Sequence, residues 1–138
     1  MIVAIAIRLL LLAMLCADDG TASVPFVHTI NLVADRNSTF HLVGNDTSEM
    51  DLVAGEPVLL HVEARKAKSM NRDGSVHGFV LLNRGRKSVP GWDLLFKPGV
   101  QEMQLTAPAE PGVYEAVCTV ICSADHEHMK LRVVVRPK

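Results

Sequence analysis

Four side chains that bind soft metal ions lie close together near the carboxyl end of the chain. They are Cys118, Cys122, His126 and Met129, at the spacing C-x3-C-x3-H-x2-M. Thiolate and thioether ligands together favour copper over hard cations such as Mg²⁺ or Ca²⁺. A thiol binds a metal ion as the thiolate, and the bound cation itself lowers the thiol pKa. This stretch, residues 118–129, is called the ligand loop below, and it predicts a copper site.

The segments on either side of the ligand loop have the pattern of β-strands. Residues 113–117 before it and 130–135 after it alternate and are rich in β-branched side chains. This composition is typical of strands. We therefore expect the ligand loop to connect two strands, which would hold its side chains on a rigid frame.

A second imidazole ligand is expected from another part of the fold. His77 is the best candidate, because it begins the strand pattern 76–82 directly after the polar segment 65–75. That position predicts a sheet end, where a loop from another strand can meet it. His128 lies two residues from His126 and could compete for the metal. A histidine inside a strand pattern is more often a surface residue than a ligand, and this applies to His28, His41 and His61.

The two cysteines of the ligand loop allow a second interpretation. In an exported protein two cysteines often form a disulfide, and Cys118 and Cys122 are close enough in sequence to pair. Met129 could equally be a core residue, since it precedes the last strand. The alternatives are therefore a mononuclear metal site with one cysteine unused, or a disulfide-bonded β-sandwich that serves as a binding module. The nearby His126 and the distant His77 favour the metal site.

The remainder of the chain consists of short apolar runs separated by turn residues. With the strands that flank the ligand loop, seven or eight strands recur at intervals of about 8–12 residues, which is typical of a β-sandwich or barrel. We predict an all-β Greek-key sandwich without a long helix after the leader. Segment 83–91, rich in Gly, Pro and Arg, is expected to be irregular. The other runs are 26–33, 39–43, 50–53, 58–64, 76–82 and 100–106.

The first residues have the composition of an export signal. Residues 9–15 form an unbroken apolar run, which matches the core of a secretory signal and is shorter than the ~20 apolar residues of a membrane span. The expected organisation is a signal peptide at 1–17, cleaved after Ala17, and one domain at 18–138. A retained anchor and a lipid-modified Cys16 are the alternatives. This organisation predicts a periplasmic or otherwise extracytoplasmic protein, with membrane contact only if the leader is retained.

Charge and composition argue against two other functional classes. The chain has 14 Lys and Arg residues against 15 Asp and Glu residues, without a basic stripe, which disfavours nucleic acid as a partner. No nucleophile, general base or open coordination position is evident, so we expect no catalysis by this chain alone. Trp92 is expected either to pack over one end of the sandwich or to serve as an entry point for electrons.

The motifs together resemble a known family. The ligand spacing, preceded by Pro-Gly-Val-Tyr-x3-Cys and further upstream by Val-His-x-Phe, resembles the CuA domain of cytochrome c oxidase subunit II and of nitrous oxide reductase. The resemblance covers roughly residues 56–135. It implies a cupredoxin fold, in which ordinary blue-copper proteins have one loop cysteine where this chain has two.

The resemblance also implies a binuclear centre with two copper ions. Both thiolates would bridge the ions, each imidazole would bind one of them, the methionine would be a weak ligand, and the residue midway between the cysteines would offer its backbone carbonyl. Carried onto this sequence, the ligands are His77, Cys118, Val120, Cys122, His126 and Met129.

Three departures from subunit II favour a free-standing CuA-type cupredoxin. Val120 stands where subunit II usually has a glutamate, a short leader stands where it usually has transmembrane helices, and residues 84–87 look like an insertion. The implied function is electron transfer with a redox protein such as a cytochrome c, or with a terminal oxidase. The alternative is a copper carrier or assembly factor that delivers copper to an oxidase or another cuproenzyme.

Overall fold

The computed structural model describes residues 27–138. These residues form nine β-strands and one short 3₁₀ helix, His126–His128. The predicted leader at 1–17 and the first residue of the first predicted strand lie outside the described residues. Between residues 27 and 138, no helix has the length and apolar character needed to cross a bilayer. The strands are β1 His28–Ala34, β2 Phe40–Leu42, β3 Glu49–Val53, β4 Pro57–Ala64, β5 His77–Leu82, β6 Ser88–Phe96, β7 Gly99–Thr106, β8 Gly112–Val117 and β9 Lys130–Arg136.

The strands form two sheets that enclose one core. The four-stranded sheet has the order β2-β1-β4-β7, and the five-stranded sheet has the order β3-β9-β8-β5-β6. β1 pairs with β4, and β3 with β9, in parallel, whereas the other neighbours are antiparallel. The predicted all-β Greek-key sandwich is confirmed.

Alternation of apolar and polar residues explains how these sheets enclose the core. In β4 every second side chain is buried, and β9 follows the same rule. A sheet with one face on the core requires this period of two, and each fully buried Val or Leu contributes about 1.5–3 kcal/mol. The buried residues of these two strands are Val58, Leu60, Val62, Ala64, Leu131, Val133 and Val135.

One strand was not predicted from the sequence. Segment 83–91 was expected to be irregular, but β6 already begins at Ser88 and includes both Pro90 and Gly91. β6 is an edge strand of the five-stranded sheet, and a proline is tolerated at an edge because no ladder hydrogen bond has to be donated there. The turn-forming residues therefore concealed a strand whose second half pairs with β5.

Trp92 in β6 belongs to the core of the sandwich. Its side chain is only 1% exposed, and its ring centroid lies 6.3 Å from that of Phe79. The indole Nε1 donates a hydrogen bond of 2.8 Å to the carbonyl of Thr106 at the end of β7. Of the two roles considered for Trp92, the structure supports packing and links β6 to the opposite sheet.

The strand directions bring three distant segments to one end of the five-stranded sheet. β5 and β8 are antiparallel neighbours, with Val80 opposite Val117, so the start of β5 meets the end of β8. β8 and β9 form a hairpin, and the ligand loop connects them, as predicted. Its neck is closed by a 3.1 Å hydrogen bond from the Cys118 N–H to the Met129 carbonyl.

Candidate metal centre

Three side chains from two parts of the chain meet at this end of the sheet. The donor atoms of His77, Cys118 and Cys122 all lie within 4.8 Å of one another. His77 and Cys122 are fully buried, and Cys118 is 8% exposed. Both cysteines are free thiols in this structure, so the disulfide considered as an alternative is not formed here. The structure places His77 beside the ligand loop, and the role of these residues as metal ligands stays a prediction.

The imidazole of His77 leaves one nitrogen free for a metal ion. Its Nε2 lies 2.7 Å from the carbonyl oxygen of Arg65, which can only accept a hydrogen bond, so Nε2 carries the proton. Nδ1 therefore holds a lone pair, and it is buried without any hydrogen-bond partner. A buried polar atom without a partner costs about 1–3 kcal/mol. A metal ion bound at Nδ1 would remove this cost, and the residues present fit such a group.

Cys118 lies between a backbone N–H that can stabilise a thiolate and a backbone carbonyl that can accept a hydrogen bond from the neutral thiol. The Gly78 N–H donates to its Sγ at 3.4 Å, and the thiol lies 3.3 Å from the Val120 carbonyl oxygen. Burial raises the pKa of the Cys118 thiol, while the hydrogen bond from Gly78 opposes that shift. In the metal-free chain the buried thiol therefore keeps its proton, and binding of a cation would release it.

Cys122 is fixed through both its backbone and its side chain. Its carbonyl accepts hydrogen bonds from the N–H groups of Lys68 and Ser69, at 3.1 and 2.9 Å, and its N–H donates to Val120 at 2.7 Å. Its Sγ lies 3.5 Å from the hydroxyl of Ser38. The segment after β4 and the turn after β1 thus both hold the ligand loop in place.

The two other side chains that were predicted as ligands lie in the last part of the ligand loop, before β9. Met129 is fully buried. His126 is partly buried, and its Nδ1 lies 3.1 Å from the Ser123 carbonyl, so its imidazole stands outside the three-residue group. Coordination by His126, Met129 and the Val120 carbonyl stays a prediction.

The three histidines inside strand patterns have contacts away from the ligand loop. His28 lies 2.7 Å from a Glu56 carboxylate oxygen, and His61 lies 3.1 Å from one of Glu102. His41 is bonded to the hydroxyl of its neighbour Thr39 on the exposed face of β2. These contacts explain the three imidazoles without a metal ion.

Sequence reasoning missed two residues that contact the sulfur atoms. Ser38 lies 84 positions before Cys122, in a turn whose composition indicates only a turn. The sequence indicates only that Gly78 is a strand residue next to His77, but its N–H donates a hydrogen bond to the Cys118 sulfur. No local pattern reports such contacts, because the Gly78 contact requires the pairing of β5 with β8 and the Ser38 contact requires the packing of the two sheets.

Comparison with solved structures identifies the architecture. The chain is similar to a chain of a heme-copper terminal oxidase dimer, with 20% identity and a TM-score of 0.55, over 79% of this chain and 65% of that one. Auracyanin A, a blue copper protein from Chloroflexus aurantiacus, has 17% identity and a TM-score of 0.55, over 80% and 100% of the two chains. Reduced rusticyanin has 18% identity and a TM-score of 0.53, over 86% and 89%. The chain has the cupredoxin fold.

These likenesses extend to the fold alone, because the sequence identities are low. No protein-family model matches the chain, and no curated protein matches it. The chemistry of the candidate metal centre therefore depends on the residues of this chain itself.

Gly78 is expected to tolerate no side chain. A Cβ atom at this position would overlap the Thr119 hydroxyl and lie 3.0 Å from the Thr119 nitrogen. Gly78→Ala should therefore separate β5 from the ligand loop and weaken the N–H bond to the Cys118 sulfur. We expect a loss of about 1–3 kcal/mol in the free energy of unfolding, as for other overpacked sites, and weaker copper binding, measured by urea titration and by competition with a chelator.

Gly85 provides the matched control for this substitution. A Cβ atom there would meet only the Asn83 side chain at 3.4 Å, which is an ordinary contact. Gly85→Ala should leave the free energy of unfolding and the copper affinity unchanged. Equal effects of the two variants would show that the close approach of Gly78 to Thr119 does not shape the site.

Burial of His77 predicts a pH dependence of the metal-free chain. Loss of solvent lowers the pKa of His77 in the folded state below the ordinary imidazole value of about 6.5. Below that pH the unfolded chain binds a proton at His77 that the folded chain does not. The contribution of His77 to stability is therefore present above about pH 6.5 and is lost as the pH falls, by at most about 1.4 kcal/mol per pH unit.

This dependence is measured by urea unfolding with a chelator at about pH 7.5 and about pH 5.5, on either side of the ordinary imidazole pKa. His77→Gln removes the titrating group, so its stability should change less between the two pH values than that of the unaltered chain. If the free energy of unfolding changed equally with pH in both chains, groups other than His77 would be responsible for the loss of stability at low pH.

Proposed function

We propose that this chain is an exported copper-binding electron-transfer protein with a binuclear CuA-like centre. The observation that supports the proposal most strongly is the juxtaposition of two free, buried thiols with an unpartnered imidazole nitrogen within 4.8 Å. Thiolate and imidazole are ligands suited to copper in either redox state. Export rests on the leader predicted from the sequence.

The proposed ligand set combines these three side chains with three further groups. When bound, a copper pair would accept or donate one electron at a time. Nδ1 of His77 and the two thiolates would bind it. The Val120 carbonyl, already 3.3 Å from the Cys118 sulfur, His126 and Met129 would complete the coordination.

Rigidity of the ligands supports electron transfer. The Cys122 carbonyl is held by Lys68 and Ser69, and the neck of the loop is closed between Cys118 and Met129. Ligands fixed in this way change little in position between redox states, so little reorganisation opposes the transfer. Burial of both sulfur atoms excludes water from the site. A carrier that hands over its metal needs ligands that a receiving protein can reach, and the buried thiols argue against that alternative.

The surface beside the site offers a route for electrons. Ile121 lies between the two cysteines and is 69% exposed, and Met70, one residue beyond the segment that holds Cys122, is 55% exposed. We propose that a redox protein such as a cytochrome c, or a terminal oxidase, approaches over these apolar side chains. The fold that this chain shares with a chain of a heme-copper terminal oxidase supports a redox partner of this kind.

Electron transfer and copper delivery predict different behaviour of the loaded chain. After reconstitution with copper, the chain is reduced with ascorbate and reoxidised with ferricyanide for several cycles. A Cu(I) chelator is present, and the copper content is measured after each cycle. We expect the visible thiolate-to-copper absorption to disappear and return without loss of metal.

Transfer of copper to the chelator within the first reduction would favour the carrier. Retention of copper without reversible bleaching would contradict electron transfer, because the bound metal would then be redox-inert under these conditions. If the chain takes up no copper, both electron transfer and copper delivery are contradicted.

A further inference from the structure

Ser38 contacts the metal centre from the opposite sheet. It lies in the turn between β1 and β2, and its hydroxyl is 3.5 Å from the Cys122 sulfur and 2.6 Å from the hydroxyl of Ser123. The side chain is only 4% exposed, which is unusual for a serine in a turn. It therefore joins the four-stranded sheet to the ligand loop of the other sheet.

The backbone at Ser38 adopts a conformation that favours glycine. Its φ is +60°, and apart from Arg86 it is the only non-glycine residue with a positive φ within residues 27–138. Hydrogen bonds from the Ser38 N–H to Asp35 and from the Asp35 N–H to Thr39 hold the turn. Glycine would adopt this φ without strain, so a substitution by glycine can remove the hydroxyl of Ser38 without adding backbone strain.

The hydrogen bonds around Ser38 allow its hydroxyl proton to point at the sulfur. The Asp125 N–H donates to the Ser123 hydroxyl oxygen at 3.1 Å. Ser123 can then donate its own proton to the oxygen of Ser38, which leaves the Ser38 proton for Cys122. A hydroxyl has one proton to donate, so this arrangement satisfies every member of the chain and ends at the Cys122 sulfur.

We propose that Ser38 is a positioning residue that donates a hydrogen bond to the Cys122 thiolate and raises the reduction potential of the centre. This inference rests on the proposed function. Hydrogen bonding at a ligand sulfur tunes the potential of a copper site, because it withdraws negative charge that would otherwise stabilise the oxidised metal. Each sulfur then receives one donor from outside the ligand loop, the Gly78 N–H at Cys118 and the Ser38 hydroxyl at Cys122.

Two substitutions separate the hydroxyl of Ser38 from its backbone. Ser38→Ala and Ser38→Gly both remove the hydroxyl, but only glycine relieves the positive φ. We expect both copper-loaded variants to have a lower reduction potential, by about tenfold in the equilibrium constant for reduction, as for loss of a hydrogen bond to a charged group. That factor equals about 59 mV for a one-electron couple.

Two further variants complete the design. Thr39→Val removes the neighbouring hydroxyl of the same turn, which bonds Asn37 and His41, and should leave the potential unchanged. Ser123→Ala removes the donor to Ser38 and should lower the potential by a smaller amount. Potentials are measured by voltammetry, and urea unfolding of each metal-free variant reports any loss of stability.

A purely structural role for Ser38 predicts another outcome. In that case the potential would follow the stability, and Ser38→Gly would differ from Ser38→Ala. Unchanged potentials in both variants, with copper bound as in the unaltered chain, would overturn the proposed role of Ser38 but not the proposed function. Failure of the unaltered chain to take up copper would overturn the proposed function, and this inference with it.

Discussion

Replacement of Cys122 by serine is expected to lower the copper content from two ions per chain to one at most. In the proposed centre both thiolates would bind the two ions together, so loss of either thiolate would leave the second ion with too few ligands. A serine hydroxyl is a harder and far less acidic ligand, and it does not replace a thiolate at copper. Among the described residues Cys118 has the only other thiol, and it already belongs to the three-residue group, so it is not available to replace Cys122.

The measurement is the copper content of the desalted variant, together with its visible absorption. Ile121→Ser is the matched control, because it introduces the same side chain at the adjacent, exposed position of the same loop. The control should bind two ions with unchanged absorption. Two ions in the Cys122→Ser chain would show that Cys122 is not a bridging ligand.

Replacement of His77 by glutamine is expected to separate copper binding from stability. The variant loses the unpartnered Nδ1 but keeps an amide N–H that can donate to the Arg65 carbonyl, the present partner of Nε2. We expect copper affinity to fall by at least about 100-fold, since even residues that only support a ligand contribute about 10–100-fold. The free energy of unfolding of the metal-free variant should stay within about 1 kcal/mol of that of the unaltered chain near neutral pH.

Affinity is measured by competition with a Cu(I) chelator, and stability by urea unfolding. His61→Gln is the control, because His61 pairs with Glu102 on the exposed face of β4. It should leave copper affinity unchanged. Equal losses of affinity in the two variants would mean that His77 is not a ligand.

The strands that face the core could be predicted because their burial repeats along the sequence. Every second residue of β4 is apolar and buried, and the same holds for β9. β6 could not be predicted, since its Pro90 and Gly91 indicate a turn and only its position at a sheet edge makes a strand there acceptable. Local composition carries no information on which strand lies at an edge.

The candidate metal centre could be predicted only in part, because some of its contacts depend on the packing of distant segments. His77 was expected at a sheet end, and the antiparallel pairing of β5 with β8 places it beside Cys118 and Cys122. The unpartnered state of its Nδ1 depends on the Arg65 carbonyl, which no sequence pattern reports. Ser38 was missed because its contact with Cys122 joins the two sheets across 84 positions.

In the function that we propose, two copper ions share one site in this chain. The most direct test is an electron-paramagnetic-resonance spectrum of the copper-loaded protein, with copper counted per chain. Two ions per chain and a seven-line hyperfine pattern, from one unpaired electron shared by both nuclei, are the result we expect. One ion per chain with a four-line pattern would contradict the binuclear centre and leave a mononuclear copper site in the same fold.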